Sequence, residues 1–179
     1  MFMDLKEFDE YYENLIQTLK GLSREEFDSV LKILKDAKIN DNHVFIIGNG
    51  GSSSTAEHYA NDFLKIGKLK VFALTNKPTI TAFGNDIGYD SIFVEQLKVI
   101  LNSGDVLIGI TGSGNSQNIV NALKYVKENN GKTIGILGFD GGRAKEFCDS
   151  FILVKSNDYG IIEDIHMTIA HYISRNLID

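Results

Sequence analysis

His58 and Asp62 stand four residues apart in the run VFIIGNGGSSSTAEHYANDFL, residues 44–64. On a helix that spacing stacks an imidazole and a carboxylate on one face, one turn apart. Such a pair can hold a divalent cation or move a proton, although the same spacing also serves an ordinary solvated helix pair. A second titratable group lies near the C-terminus in IIEDIHMTIAH, residues 161–171. Asp164 and His171, seven apart, share a helix face. Glu163 and His171, eight apart, are offset by about 80° at 3.6 residues per turn, so spacing alone favours Asp164. Two runs of small residues complete the chemistry: GNGGSSS at 48–54 and GITGSGNS at 109–116. Their backbone N–H groups and hydroxyls suit a phosphate.

Positioning these groups takes a strand before each glycine-rich turn and a helix after it. Val44 to Ile47 are apolar without alternation, as in a strand buried on both faces. Glycines then turn the chain, and Ser52, Ser53 or Ser54 caps a helix expected from Thr55 to about Lys65. Further strands are expected at Val71–Leu74, Val106–Ile110, Thr133–Leu137 and Phe151–Val154. Helices are expected at Tyr89–Leu101, Ser116–Glu128, briefly at Gly142–Phe147, and at Ile161–Leu177. This alternation predicts an α/β fold, a flavodoxin-like five-stranded parallel sheet flanked by helices. In that order the loops after the first and third strands face each other across the switch point, where ligands bind. The segment Phe83–Gly88 reads as a loop reaching the same mouth, with Asn85 and Asp86 either facing it or forming an Asx turn. Ahead of the sheet, Phe8, Tyr11, Tyr12, Leu15 and Leu19 fall at helical spacing. A capping-box pattern, Ser23-Arg24-Glu25-Glu26, opens a second helix whose stripe is Phe27, Val30, Leu31 and Leu34. Residues 1–36 are thus read as an N-terminal helical hairpin making an oligomer contact, and 37–179 as the sheet domain.

The bulk composition narrows the function. The chain has 179 residues, 43% of them hydrophobic, enough for one well-buried core. A formal charge of −6, with no Lys/Arg block, argues against nucleic acid. Cys148 is the only cysteine, so no intrachain disulfide forms and a cytoplasmic setting is expected. The acidic N-terminal stretch lacks an apolar core, and no membrane span is expected. A dinucleotide fits poorly because Gly48-Asn49-Gly50-Gly51-Ser52-Ser53 lacks the third fingerprint glycine and Thr75-Asn76 replaces an acidic ribose anchor. Gly131-Lys132-Thr133 enters a strand and has Val126 where a P-loop needs glycine. No nucleotide cofactor is expected, and a sugar phosphate is the ligand class left.

The motifs GNGGSSSTAEHYANDFL, FGNDIGYD, GDVLIGITGSGNS and IIEDIHMTIAH, in this order, resemble the sugar isomerase (SIS) domain and, within it, the phosphoheptose isomerase family. The resemblance runs from about Leu31 to the C-terminus. It implies a homotetramer with active sites at subunit interfaces, and conversion of D-sedoheptulose 7-phosphate into D-glycero-D-manno-heptose 7-phosphate through an enediol, toward nucleotide-activated heptose and surface polysaccharide. Implied substrate contacts are Asn49, Gly50, Gly51, Ser52, Asp62, Asn85, Asp86, Thr111, Gly112, Ser113, Ser116 and Glu163. The implied metal ligands, for a divalent ion such as zinc, are His58, Asp62, Glu163 and His171, and the implied catalytic groups are Asp62, Glu163 and His171. The resemblance therefore selects Glu163 over the Asp164 that spacing favours. The chain departs from the family in carrying Asp62 where Glu is common, Glu163 where Gln is common, and Ile66 where an arginine often assists phosphate, with Lys65 and Lys68 nearby. The alternatives are an isomerase of another sugar phosphate, or a non-catalytic SIS module that binds a sugar phosphate to regulate a partner or that associates with an initiator protein.

Overall fold

Five short apolar runs form one sheet: β1 His43–Gly48, β2 Lys70–Ala73, β3 Val106–Thr111, β4 Lys132–Gly138 and β5 Ser150–Val154. All pairs are parallel and the order is β2-β1-β3-β4-β5, the flavodoxin-like order expected from the alternation of elements. Val44 sits between Val71 and Val106, and Ile108 pairs with Ile134. The computed structural model describes residues 5–178, so the first four residues of the N-terminal hairpin lie outside the described residues.

Among the described residues, seven α-helices surround the sheet: α1 Leu5–Lys20, α2 Arg24–Ile39, α3 Gly51–Lys65, α4 Lys77–Asp86, α5 Ile92–Ile100, α6 Gln117–Glu128 and α7 Tyr159–Asn176. One core layer joins α2, α3 and α7 to Val44, Ile46, Ile108 and Ile136; the other joins α5 and α6 to Phe45, Ile47, Leu107 and Leu137. Strands covered on both faces have no solvent side, which is why their sequences run apolar without alternation. No helix among the described residues is long and apolar enough to cross a membrane.

The N-terminal hairpin shares the first core layer. Val30, Leu31, Leu34 and Ala37 of α2 are buried. Ser23 accepts from the Glu26 N–H at 3.2 Å as the capping box predicts, but Glu26 does not reach back to Ser23; its Oε2 accepts from the Leu153 N–H at 2.9 Å and ties α2 to β5. α1 rests on α7, where the Tyr11 hydroxyl donates to Asp164 at 2.7 Å. That bond to a carboxylate pushes the Tyr11 phenol up to about 12. Phe8 and Tyr12 stack on the exposed side of α1 with ring centroids 6.4 Å apart.

Four elements differ from the sequence reading. α3 begins at Gly51, not Thr55, and its N-cap is Gly50 with φ +54° and no side-chain cap bond. The left-handed turn at Gly50 starts the helix early and carries the serines into its first turn, so none of Ser52, Ser53 and Ser54 is the cap. The stretch expected to be a loop at Phe83–Gly88 is mostly the end of α4, which Asn76 caps by accepting from the Thr79 N–H at 3.1 Å. Pro78 lies in its first turn, where proline is tolerated. Finally, Tyr89–Ser91 is a 3₁₀ turn preceding α5, and α7 starts at Tyr159, capped by Asp158.

Candidate active site

The crevice lies at the carboxyl ends of β1 and β3. β1 delivers the Gly48–Ser52 turn, and β3 delivers Thr111 to Ser116. Together with Asn49, Ile110, Tyr159 and Glu163, the residues Ser52, Thr111, Gly112, Ser113 and Ser116 line a cavity of about 150 Å³. The positive ends of α3 and α6 both open into this region, and they favour an anion there. Ser116 holds the N-cap position of α6 yet makes no cap bond, so its hydroxyl is uncommitted to the helix. Thr111 accepts from the Gly114 N–H at 3.1 Å and braces the loop from within.

Glu163 comes from the other side of the crevice. A Cβ added at Gly51 would lie 3.0 Å from Glu163 Oε2, so the carboxylate fills the space that a side chain at the start of α3 would need. Asp164 does share a face with His171 by spacing, but it stays exposed and accepts the Tyr11 hydroxyl of α1. Of the two carboxylates only Glu163 reaches the crevice.

Further along the α3–α7 contact lies a second cluster. His58 Nε2 is 3.0 Å from His171 Nε2, Asp62 Oδ2 is 3.5 Å from His58 Nε2, and it is 3.9 Å from His171 Nε2. The i, i+4 pair on α3 therefore meets the histidine on α7, as their positions in sequence require once the two helices pack in parallel. His58 and His171 are about half exposed, whereas Asp62 is 14% exposed. Two imidazole nitrogens and one carboxylate oxygen, all within 4.8 Å of one another, fit the donor set and spacing of a divalent ion bound at about 2.0–2.2 Å per ligand.

Glu163 is not part of that cluster. Eight residues along α7 separate it from His171, about 12 Å of helix rise. The four-residue ligand set expected from the resemblance is thus three residues within one chain, and the rise of the helix is the reason. Asn85 and Asp86 are also apart from the crevice: they are exposed at the end of α4 and bond to each other, Asn85 Nδ2 donating to Asp86 Oδ1 at 2.8 Å. Lys65 and Lys68 lie at the far end of α3, some 20 Å of rise from Gly51, and do not serve this crevice.

Three residues at or beside the crevice are assigned no role by the sequence reading, although Tyr89 falls within FGNDIGYD. Tyr159 packs its ring where a Cβ at Gly112 would sit, 2.8 Å away, and against Phe139 with centroids 5.0 Å apart. Tyr89 and Asn118 both bond to Asn49. His166, by contrast, belongs to the core. It is 1% exposed, neither ring nitrogen has a hydrogen-bond partner, and burial pushes its pKa down to about 4. That imidazole is neutral and takes no part in the surface cluster.

Comparison with known proteins agrees with this architecture. The family model for the SIS domain matches residues 7–138. The phosphoheptose isomerase of Aliarcobacter butzleri is 36% identical over 175 residues, covering 94% of this chain and 92% of the relative. Among solved structures, phosphoheptose isomerase from Neisseria gonorrhoeae superposes with a TM-score of 0.90 at 27% identity, over 96% of this chain and 97% of that one. The enzyme from Francisella tularensis gives 0.89 at 28% identity, over 98% of both chains.

Proposed function

The chain belongs to the phosphoheptose isomerase family of SIS-domain proteins, and from that premise we propose that it is the aldose–ketose isomerase that converts D-sedoheptulose 7-phosphate to D-glycero-D-manno-heptose 7-phosphate. The product feeds nucleotide-activated heptose and surface polysaccharide. The observation that carries this reading is the pairing of a hydroxyl-rich crevice at two helix N-termini, with Glu163 in its wall, with titratable groups along the same α3–α7 contact.

In this reading the phosphate rests on Ser113, Ser116 and the α6 N-terminus, with Ser52 and the backbone of Gly50 and Gly51 opposite. His58 lies about 10 Å of helix rise from Gly51, a separation that suits a long sugar phosphate whose reacting carbons are remote from its phosphate. Binding at the remote end positions those carbons. Asp62, or a Glu163 brought to the triad by a second copy, removes the proton from C1 of the ketose, and His171 handles the proton at the oxygens, leaving a cis-enediol. Return of a proton to C2 gives the aldose. Each acid or base of this kind contributes about 10²- to 10⁴-fold.

His58, Asp62 and His171 would hold a divalent ion, zinc by donor type. When bound, such an ion polarises a carbonyl oxygen and lowers the cost of the enediolate. A homotetramer with interfacial sites accounts for the separation of Glu163 from the triad, since a second copy can bring its Glu163 to a triad whose imidazoles are open to solvent. The cytoplasm, where sugar phosphates are made, is its place.

Turnover in D₂O tests the enediol route. Deuterium at C2 of the aldose product is expected, and product formed without solvent hydrogen at C2 would contradict it.

A further inference from the structure

The two walls of the crevice are joined by a side-chain contact from Asn49, which lines it, to Asn118 behind it. Asn49, in the turn after β1, and Asn118, in the first turn of α6, exchange two hydrogen bonds. Asn49 Nδ2 donates to Asn118 Oδ1, and Asn118 Nδ2 donates to Asn49 Oδ1, each at 2.9 Å. Asn118 is 1% exposed, so water does not compete strongly for the pair. Tyr89, in the 3₁₀ turn before α5, donates its hydroxyl to Asn49 Oδ1 at 3.0 Å and occupies that oxygen's second lone pair. The same 3₁₀ turn is held to α6 by Asn121, whose Nδ2 donates to the Asp90 carbonyl at 3.1 Å.

Asn49 therefore has no side-chain acceptor capacity left for a sugar hydroxyl. What its amide does instead is span 69 positions of sequence and fix the Gly48–Ser52 turn against the segment that follows Thr111–Ser116. We infer that Asn118 and Tyr89 are positioning residues for the isomerase, acting through Asn49 to set the spacing of the two ligand-binding loops. Neither of them lines the crevice. The inference rests on the isomerase reading for the identity of the substrate; the bracing of one loop by the other does not depend on it.

The test uses the intact protein and three variants, Tyr89→Phe, Asn118→Asp and Asn118→Ala. Tyr89→Phe removes one hydroxyl, and Asn118→Asp keeps the acceptor facing Asn49 Nδ2 while losing the donor to Asn49 Oδ1. Two readouts are taken: amide NMR spectra of the free protein, and the KM and kcat for D-sedoheptulose 7-phosphate. Tyr89→Phe is expected to shift the backbone amide signals of Gly50–Ser52 and of Ser113–Ser116 together. It should raise KM by about three- to tenfold, the worth of one neutral hydrogen bond, with kcat and melting temperature nearly unchanged. Asn118→Asp should raise KM by at least as much. Adding Tyr89→Phe to Asn118→Ala should cost less than the product of the separate effects, because both act on Asn49. Signals that move at only one loop, unchanged KM in folded variants, or effects that multiply would each overturn the inference. Should wild-type protein not turn over the sugar, the isomerase reading fails by itself, and the paired amide shifts still decide whether the loops are clamped.

Discussion

The Nε2 atoms of His58 and His171 lie 3.0 Å apart, one from α3 and one from α7. At that distance one ring nitrogen donates to the other, or both face a common cation. Asp62 beside them supplies the negative charge that a cation needs.

Zinc is therefore expected to stabilise the folded protein. At a free concentration one hundred times its dissociation constant the gain is about 2.7 kcal/mol, which for a chain of this size raises Tm by about 5 to 10 °C. A chelator should reverse it. His171→Ala should fold as the wild type does, since the side chain it removes is half exposed, and should lose the zinc response. Differential scanning calorimetry with and without zinc checks both; an equal response in the variant would remove His171 from the ligand set.

His166 sets a pH dependence of stability. Its pKa falls from an ordinary 6.5 to about 4 on folding, so between those values the unfolded chain binds a proton that the folded chain does not. Stability then rises with pH through this window, is complete above about pH 6.5, and is lost as pH falls toward 4. The size is about 3 kcal/mol from this residue. Urea unfolding of wild type and His166→Leu from pH 4 to 7 measures it: the variant should show a correspondingly shallower slope, and identical slopes would contradict the assignment.

Ser116 separates binding from stability. An N-cap serine replaced by alanine ordinarily costs about 1 kcal/mol, but Ser116 makes no cap bond. Ser116→Ala should leave Tm within a degree or two and raise KM for the sugar phosphate about tenfold or more, the worth of a hydrogen bond to a charged group. A large Tm loss with unchanged KM would make Ser116 a structural cap only.

Much of this was legible in the chain because local chemistry determined it. Doubly covered strands read as unbroken apolar runs, Ser/Gly turns after the first and third strands marked the crevice, and the four-residue spacing of His58 and Asp62 placed them on one face. The errors have equally local causes. Pro78, Gly84 and the β-branched Thr79, Ile80 and Thr81 weaken the helical pattern of α4, although Asn76 and Pro78 are themselves a helix-start signal. The three serines looked like caps because Gly50 hides its role behind a left-handed turn.

What spacing could not give was tertiary. Nothing in the sequence states that Asp164 would take the Tyr11 hydroxyl of α1 and leave Glu163 to the crevice, or that Asn49 and Asn118 would pair across 69 positions. Tyr159 likewise enters the site only because α7 begins beside Gly112.

The central claim is tested most directly by incubating purified protein with D-sedoheptulose 7-phosphate, with and without zinc, and following anomeric protons by NMR beside His171→Ala. New aldose signals in the wild type, absent from the folded variant, are the predicted result. No aldose from wild-type protein that demonstrably binds the sugar phosphate, or undiminished product from the variant, would contradict the account.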